Sequence, residues 1–133
     1  MSQQEHNLVL ILARGLASSI ATPMFVVDPE GDLVYFNEPA EEILGTTYAE
    51  EGEMTAEEWG TAFKPQDLRT GEVVPRESLP LSIALSEKKP AHSSIQITGR
   101  DGISRSIANT AFPLWARTDE FVGAVAIFWE EKE

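Results

Sequence analysis

Residues Ala21 to Gly45 read ATPMFVVDPEGDLVYFNEPAEEILG, and the fold turns on this stretch. Two short apolar runs, Met24–Val27 and Leu33–Phe36, flank Asp28-Pro29-Glu30-Gly31. Asp suits the first place of a type I turn, Pro the second and Gly the last, so two strands joined by a turn are expected. Asn37 then caps a short helix. Pro39 is tolerated in its first turn, Glu38, Glu41 and Glu42 favour its positive end, and Gly45 stops it.

Upstream, Leu8 to about Ile20 reads as a helix. Leu8, Leu12, Leu16 and Ser19 share one side, and Val9, Ile11 and Ile20 widen the apolar surface beyond a single stripe. A helix this apolar has surface for two contacts, its own sheet and a second chain. A helix packed only on its own domain is the plainer alternative. Ser2 to Asn7 are polar and expected to fray, and Pro23 ends the helical region.

Downstream, Thr46 to Glu58 is acidic. Thr55 and Glu58 have the spacing of a capping box, which opens a short helix with Trp59 and Phe63 facing inward. Lys64 to Glu77, with Pro65, Gly71 and Pro75, reads as loop. Ser78 to Lys89 reads as a helix capped by Ser78, with Pro80 in its first turn, Leu81, Ala84 and Leu85 towards the core, and Pro90 as its stop. Three strands finish the chain: Ser93–Thr98, Ile103–Trp115 and Phe121–Trp129, the last around Gly123. Pro113 belongs where no ladder bond is needed. The whole is an α+β arrangement: a five-stranded antiparallel sheet with helices on one face and the N-terminal helix over the other.

The 133 residues make one domain with a single core, and 42% hydrophobic residues argue against general disorder. The net charge is −12. Contacts to nucleic acid or an anionic membrane need clustered Lys and Arg, so neither partner is expected. The acidity serves solubility; an acidic docking face is the sharper alternative. The absence of cysteine excludes disulfides, thiolate metal sites and cysteine catalysis, and is compatible with the cytoplasm, the expected location. Leu8–Ala13 and Phe121–Trp129 are too short to span a bilayer, and no basic n-region precedes the first.

The opening stretch closely resembles a PAS domain, a sensory fold whose members often read I-x-V-x-D-x-x-G-x-I-x-x-x-N-x-A-A-E-x-L-x-G. Val26, Asp28, Gly31, Asn37, Ala40, Glu41 and Gly45 match; Met24, Leu33 and Ile43 are apolar replacements, and Pro39 departs from the first alanine. TGEVVPRESLPLSIALSEKKP is similar to a segment of many bacterial PAS domains through Gly71, Pro75, Pro80, Leu81, Ala84 and Leu85. Asp101, Gly102, Arg105, Asn109, Pro113, Leu114 and Gly123 extend the resemblance to about residue 129. It implies residues 1–20 as a packing and dimerisation helix, 21–129 as the domain and 130–133 as an acidic tail. Many PAS domains end in an Asp-Ile-Thr-like tripeptide leading to an output helix. Here Glu130, Glu131 and Lys132 stand in its place. A stand-alone module and a piece of a longer sensor both remain open, with Met1 favouring the first.

No enzyme is expected. The two histidines, His6 and His92, lie in different segments, no phosphate-binding glycine loop occurs, and no serine has a nucleophile-elbow context. With 22 acidic residues, chance carboxylate pairs are certain, so no catalytic residue and no metal site is assigned. His6 is read as part of a frayed terminus rather than as a phosphate acceptor. Light-sensing relatives bond a flavin through a helix cysteine, and cysteine-linked chromophores need one too; both are excluded here. Haem-binding relatives use a histidine on the long helix, which Ser78–Lys89 lacks; His92 just beyond it reads as a surface residue. The cofactor is unknown, and there is none on the plainest reading.

Strand alternation, anchored by the resemblance, puts Phe25, Val27, Ile95, Ile97, Ile107, Asn109, Ala111, Phe121, Gly123 and Val125 on the concave face. Ile43, Leu44, Trp59, Phe63, Leu81 and Leu85 close it. Two readings stand: a packed core, or a pocket for a small apolar molecule with Asn109 as its polar handle. The opposite face, Met24, Val26, Ala108, Thr110, Phe112, Val122, Ala124, Ala126 and Phe128, needs a cover, and the first helix is the natural one. Leu8, Ile11, Leu12, Leu16, Phe112, Val122 and Phe128 are the expected interface of a homodimer. The function expected is a sensory, signal-transducing module that pairs, binds a small apolar ligand and passes its signal to a downstream protein. A ligand-free adaptor and a haem or flavin sensor are the rivals.

Overall fold

The computed structural model describes residues 2–117 and 119–131, with side chains for all of these except residues 2–8 and 117. In chain order come α1 (Ser2–Ala17), β1 (Met24–Val27), β2 (Leu33–Phe36), α2 (Glu38–Leu44), α3 (Tyr48–Glu51), α4 (Ala56–Ala62), a 3-10 turn (Arg76–Ser78), α5 (Pro80–Glu87), β3 (Ala91–Thr98), β4 (Ser104–Arg117) and β5 (Glu120–Glu130). The strands form one antiparallel sheet in the order β2-β1-β5-β4-β3. The late hairpin β4–β5 thus carries the early hairpin β1–β2 on its edge. Helices α2 to α5 lie over one face and α1 over the other.

Local chemistry accounts for most boundaries. The β1–β2 turn is held by the Asp28 carboxylate, which accepts from the Glu30 and Asp32 amides at 3.0 Å each. Asn37 caps α2 by accepting from Ala40 N–H, and Gly45, in a left-handed conformation, closes it with a bond to the Glu41 carbonyl. Thr55 and Glu58 form the expected capping box.

Several expectations need correcting. Helix α1 begins at Ser2, because Gln and Glu propagate a helix well despite being polar. It ends at Ala17, where the Ser18 and Ser19 hydroxyls turn back onto the Gly15 carbonyl. Helix α3, a single turn capped by Thr47, was not expected. Ser78 does not cap α5. It lies in the 3-10 turn, and Leu79 holds the cap position without a side-chain bond. Strand β3 starts two residues early and includes His92. Leu8, His6, Thr118 and the tail from Lys132 lie outside the described residues, Leu8 and His6 in their side chains.

Strand β5 carries the largest correction. Trp115 pairs with Phe121 but Leu114 pairs with Gly123, so one residue step on β4 faces two on β5. This bulge at Val122 reverses the in–out alternation. Phe121 and Gly123 therefore face opposite sides although both are odd-numbered. Beyond the bulge, Ala124, Ala126 and Phe128 join the core beneath the helices, while Val125 and Ile127 face α1.

Candidate functional site

Between the sheet and α2–α5 lies a hollow of about 80 Å³. Strand alternation brings Phe25, Ile95, Ile97, Ile107, Asn109, Ala126 and Phe128 to its floor. Leu44 of α2, Trp59 of α4, Phe63 and Leu81 of α5 roof it, with Pro65 and Leu79 at the ends of the connecting loop. Aromatic packing fixes one wall: Phe25 stacks on Phe36 at 5.9 Å and meets Trp59 edge-on at 6.0 Å. The Trp59 indole N–H donates to the Gly31 carbonyl at 2.7 Å, which ties α4 to the β1–β2 turn. The loop is stitched to the free edge of β3 by paired bonds between the Gln66 and Gln96 backbones, 2.8 and 2.9 Å.

The lining is apolar except for one group. Asn109 Oδ1 is shielded from solvent and has no hydrogen-bond partner. Buried polar atoms without partners are uncommon, because each forfeits the free energy of its bond to water. Asn37, which is fully buried, is the contrast to the half-buried Asn109. Its Oδ1 accepts from Met24 and Ala40 N–H, and its Nδ2 donates to the Ala17 and Thr22 carbonyls.

Of the expected pocket residues, Phe25, Trp59, Phe63, Ile95, Ile97, Ile107 and Asn109 line the hollow. Val27, Ile43 and Ala111 are core residues packed away from it. Leu85 sits at the core margin near Gly31 and Ala56. Phe121 faces the helix side but at the end of the sheet, edge-on to Trp115 with the Lys88 ammonium 4.5 Å from its ring centre. Gly123 and Val125 lie on the opposite face, reversed by the bulge. Ala126, Phe128, Pro65 and Leu79 were missed as lining residues. The first two follow from the bulge; the loop residues carried no periodic signal.

The outer face is covered by Leu10, Ala13 and Ala17 of α1, which pack on Met24, Val26, Val125, Phe112 and Ile127. Arg14 lies over the Tyr35 and Tyr48 rings at 4.7 and 5.7 Å. The other side of α1 is bare: Ile11, Leu12 and Leu16 are 64%, 62% and 58% exposed. Of the remaining interface candidates, Phe112 is half-buried in the cluster under α1. Val122 and Phe128 are withdrawn from any surface, Val122 fully enclosed at the bulge and Phe128 in the core.

Electrostatics concentrate at the α3 end of the domain. Arg100 forks onto the Glu51 carboxylate at 3.0 and 3.2 Å, and this bond holds Glu51 below the usual carboxylate range. Arg105 donates to the Ile43 carbonyl and pairs with Asp101, whose pKa is lowered first by the Ile103 amide and then by that arginine. Burial raises the Asp28 carboxyl and the Tyr48 phenol. Among the described residues no three metal-ligating side chains come together, and no helix is long and apolar enough to cross a membrane.

The sequence profile of the family described as "PAS domain" matches residues 13–79, half of the chain. The chain belongs to the PAS domain family. PAS domains are sensory modules of signal transduction and are generally non-catalytic. A search of curated proteins found no match. Among solved structures, the PAS domain of the fruit-fly ELK potassium channel is similar with a TM-score of 0.73 and 10% identity, covering 93% of this chain and 98% of that one. A Rhodobacter sphaeroides LOV protein gives a TM-score of 0.71 at 14% identity over 98% and 70% of the two chains. The PAS domain of Bordetella pertussis BvgS gives 0.60 at 16% identity over 93% and 86%. At these identities the likeness speaks for the fold.

The residues of this PAS domain do not fit the larger cofactors considered above. A cavity of about 150 Å³ holds a benzene ring. The hollow here has about half that volume, too little for a flavin ring system or a haem. The chain has no cysteine to bond a flavin, and α5 has no histidine. His92 is exposed on β3 opposite Thr110, which shares the outer face with Ile127, so it points away from the hollow.

Proposed function

We propose that this PAS domain is a non-catalytic sensory module whose hollow takes a small apolar molecule and whose α1 pairs it with a second copy. The observation that carries the ligand reading is the hollow itself, about 80 Å³ between sheet and helices, lined by apolar side chains with Asn109 as the one polar residue among them. Pockets for small molecules have this composition, mostly apolar with few placed polar groups. The pairing reading rests on the outward ridge of Ile11, Leu12 and Leu16. Two copies of one ridge are self-complementary about a two-fold axis, and contact would remove an apolar strip from water.

The two sites share strand β5. Ala126 and Phe128 line the hollow, while Val125 and Ile127, alternating with them, pack beneath α1. Interiors are close-packed, so an occupant that displaces β5 also displaces the seat of α1. That is the route by which an occupied hollow reaches the pairing helix and a downstream partner.

The small volume favours one rival, a ligand-free adaptor with a packed core. Native mass spectrometry of the purified chain separates the two. A dimer carrying a co-purifying small mass that is lost on denaturation supports the proposal. A bare dimer supports the adaptor, and a bare monomer defeats both.

A further inference from the structure

We infer that a second site lies outside the hollow: a surface cleft that takes a small zwitterion, an apolar body bearing one carboxylate and one ammonium group. The cleft shares no lining residue with the hollow, so the inference stands apart from the ligand reading given above.

The cleft lies between the β1–β2 turn, the start of α4, the 3-10 turn and α5, and its volume is about 280 Å³. A cavity of about 150 Å³ already holds benzene, so there is room for a small molecule. Its charges come in both signs. Arg76 contributes a guanidinium, and Glu30 and Glu77 contribute two carboxylates. Ser82 and Ser86, one turn apart on α5, add hydroxyls. Ala56 and Leu85 supply an apolar patch; Leu85, expected in the hollow, lines this cleft instead.

A second observation sits at Gly60, inside α4, where glycine weakens a helix relative to alanine. A Cβ there would lie 2.6 Å from Arg76 Cγ and 2.8 Å from Arg76 Cδ. The missing side chain is thus the seat of the arginine stem. Arg76 is half-buried, yet among the described residues its guanidinium makes no hydrogen bond or ion pair. A guanidinium held in place and left unpaired is suited to a carboxylate, which it grips as a fork. A lone anion would meet two carboxylates on a chain of net charge −12, and a lone cation would leave Arg76 unused. A zwitterion answers both signs, and its apolar body covers Ala56 and Leu85.

The test titrates four probes into the full chain while the Leu85 methyl and the Ser82 and Ser86 amide resonances are followed. Leucine and its isomer ε-aminocaproate carry both charges, close together in the first and far apart in the second. Isocaproate and isoamylamine keep the branched body of leucine with one charge each. At least one zwitterion is expected to bind about fivefold more tightly than either single-charge analogue, the scale of one partly exposed ion pair. In Arg76→Gln the preference over isoamylamine is expected to vanish, while the preference over isocaproate remains. Gly60→Ala, which favours the helix, is expected to lose zwitterion affinity by a similar factor without losing stability in urea, because only the Arg76 stem is displaced. Zwitterions bound no better than the single-charge analogues overturn the inference, as do resonances unmoved by all four probes. A preference over isoamylamine unchanged in Arg76→Gln, or undiminished binding by Gly60→Ala, overturns the role given to Arg76. The wild-type series decides by itself should a variant not fold.

Discussion

The Asn37 side-chain amide donates to the carbonyl of Ala17 at 2.8 Å, across twenty positions of sequence. One side chain thereby joins the end of α1, the start of β1 and the first turn of α2, since it also serves Thr22, Met24 and Ala40. Removing it strands two buried N–H groups and two carbonyls. Asn37→Ala is expected to lower stability by about 3 kcal/mol in urea unfolding. Amide exchange at residues 17–24 should accelerate more than in β4. A loss under about 1 kcal/mol would mean that water replaces the side chain and that α1 is held by packing alone.

Gly123 allows the bulge. Its φ of +140° is one that L side chains rarely adopt, and an added Cβ would collide with the Val27 carbonyl oxygen and press on Leu10. The Val27 contact is with backbone and cannot relax cheaply, whereas the Leu10 methyl is the end of a flexible side chain and can give way. Gly123→Ala should cost at least about 2 kcal/mol by the same unfolding measurement. A variant as stable as the parent would show that the strand register is not what this geometry says.

What the sequence made legible was chemistry closed within a few residues. The Asn37 cap, the Gly45 stop and the Thr55–Glu58 box each span four residues or fewer to their partners, and each is found in place. Strand β3 alternates visibly, whereas β1 is apolar at all four positions and takes its face, like β4, from the family resemblance; Phe25, Ile95 and Asn109 lie on the face so assigned. Strand β5 is apolar on both sides, which erases the alternation from which a face is read. Its bulge adds a residue that only the partner strand reveals. The pairing of Gln66 with Gln96 and the reach of Asn37 to Ala17 were hidden for a similar reason. Long-range backbone bonds leave no local pattern.

Leu12 separates pairing from folding. It is 62% exposed, so charge there should leave the fold intact. Leu12→Glu is expected to change stability by less than about 0.5 kcal/mol and to halve the mass in light scattering. A monomeric parent, or an unchanged dimer in the variant, rejects the role given to α1. Ala13→Glu should behave in the opposite way, because Ala13 packs against the sheet and its replacement buries a charge.

Acid should weaken the fold through Glu51. Its carboxylate is held below its ordinary value of 4.5 by the fork from Arg100. A depressed carboxyl contributes stability that is fully present above its unfolded value and is lost as pH falls through its folded one. Asp101 contributes with the same sign, bound by the Ile103 amide and Arg105. Asp28 runs the other way: burial raises it, so the folded state gains as pH falls through that raised value. Arg100 is 45% exposed, which limits the Glu51 pair to about 0.5–1 kcal/mol. The stability gap between the parent and Glu51→Gln should be of that size at neutral pH. It should shrink below about pH 4 and close once both states are protonated. Urea unfolding across that range decides the matter, and a gap that stays constant into strong acid would show that the pair acts through packing rather than charge.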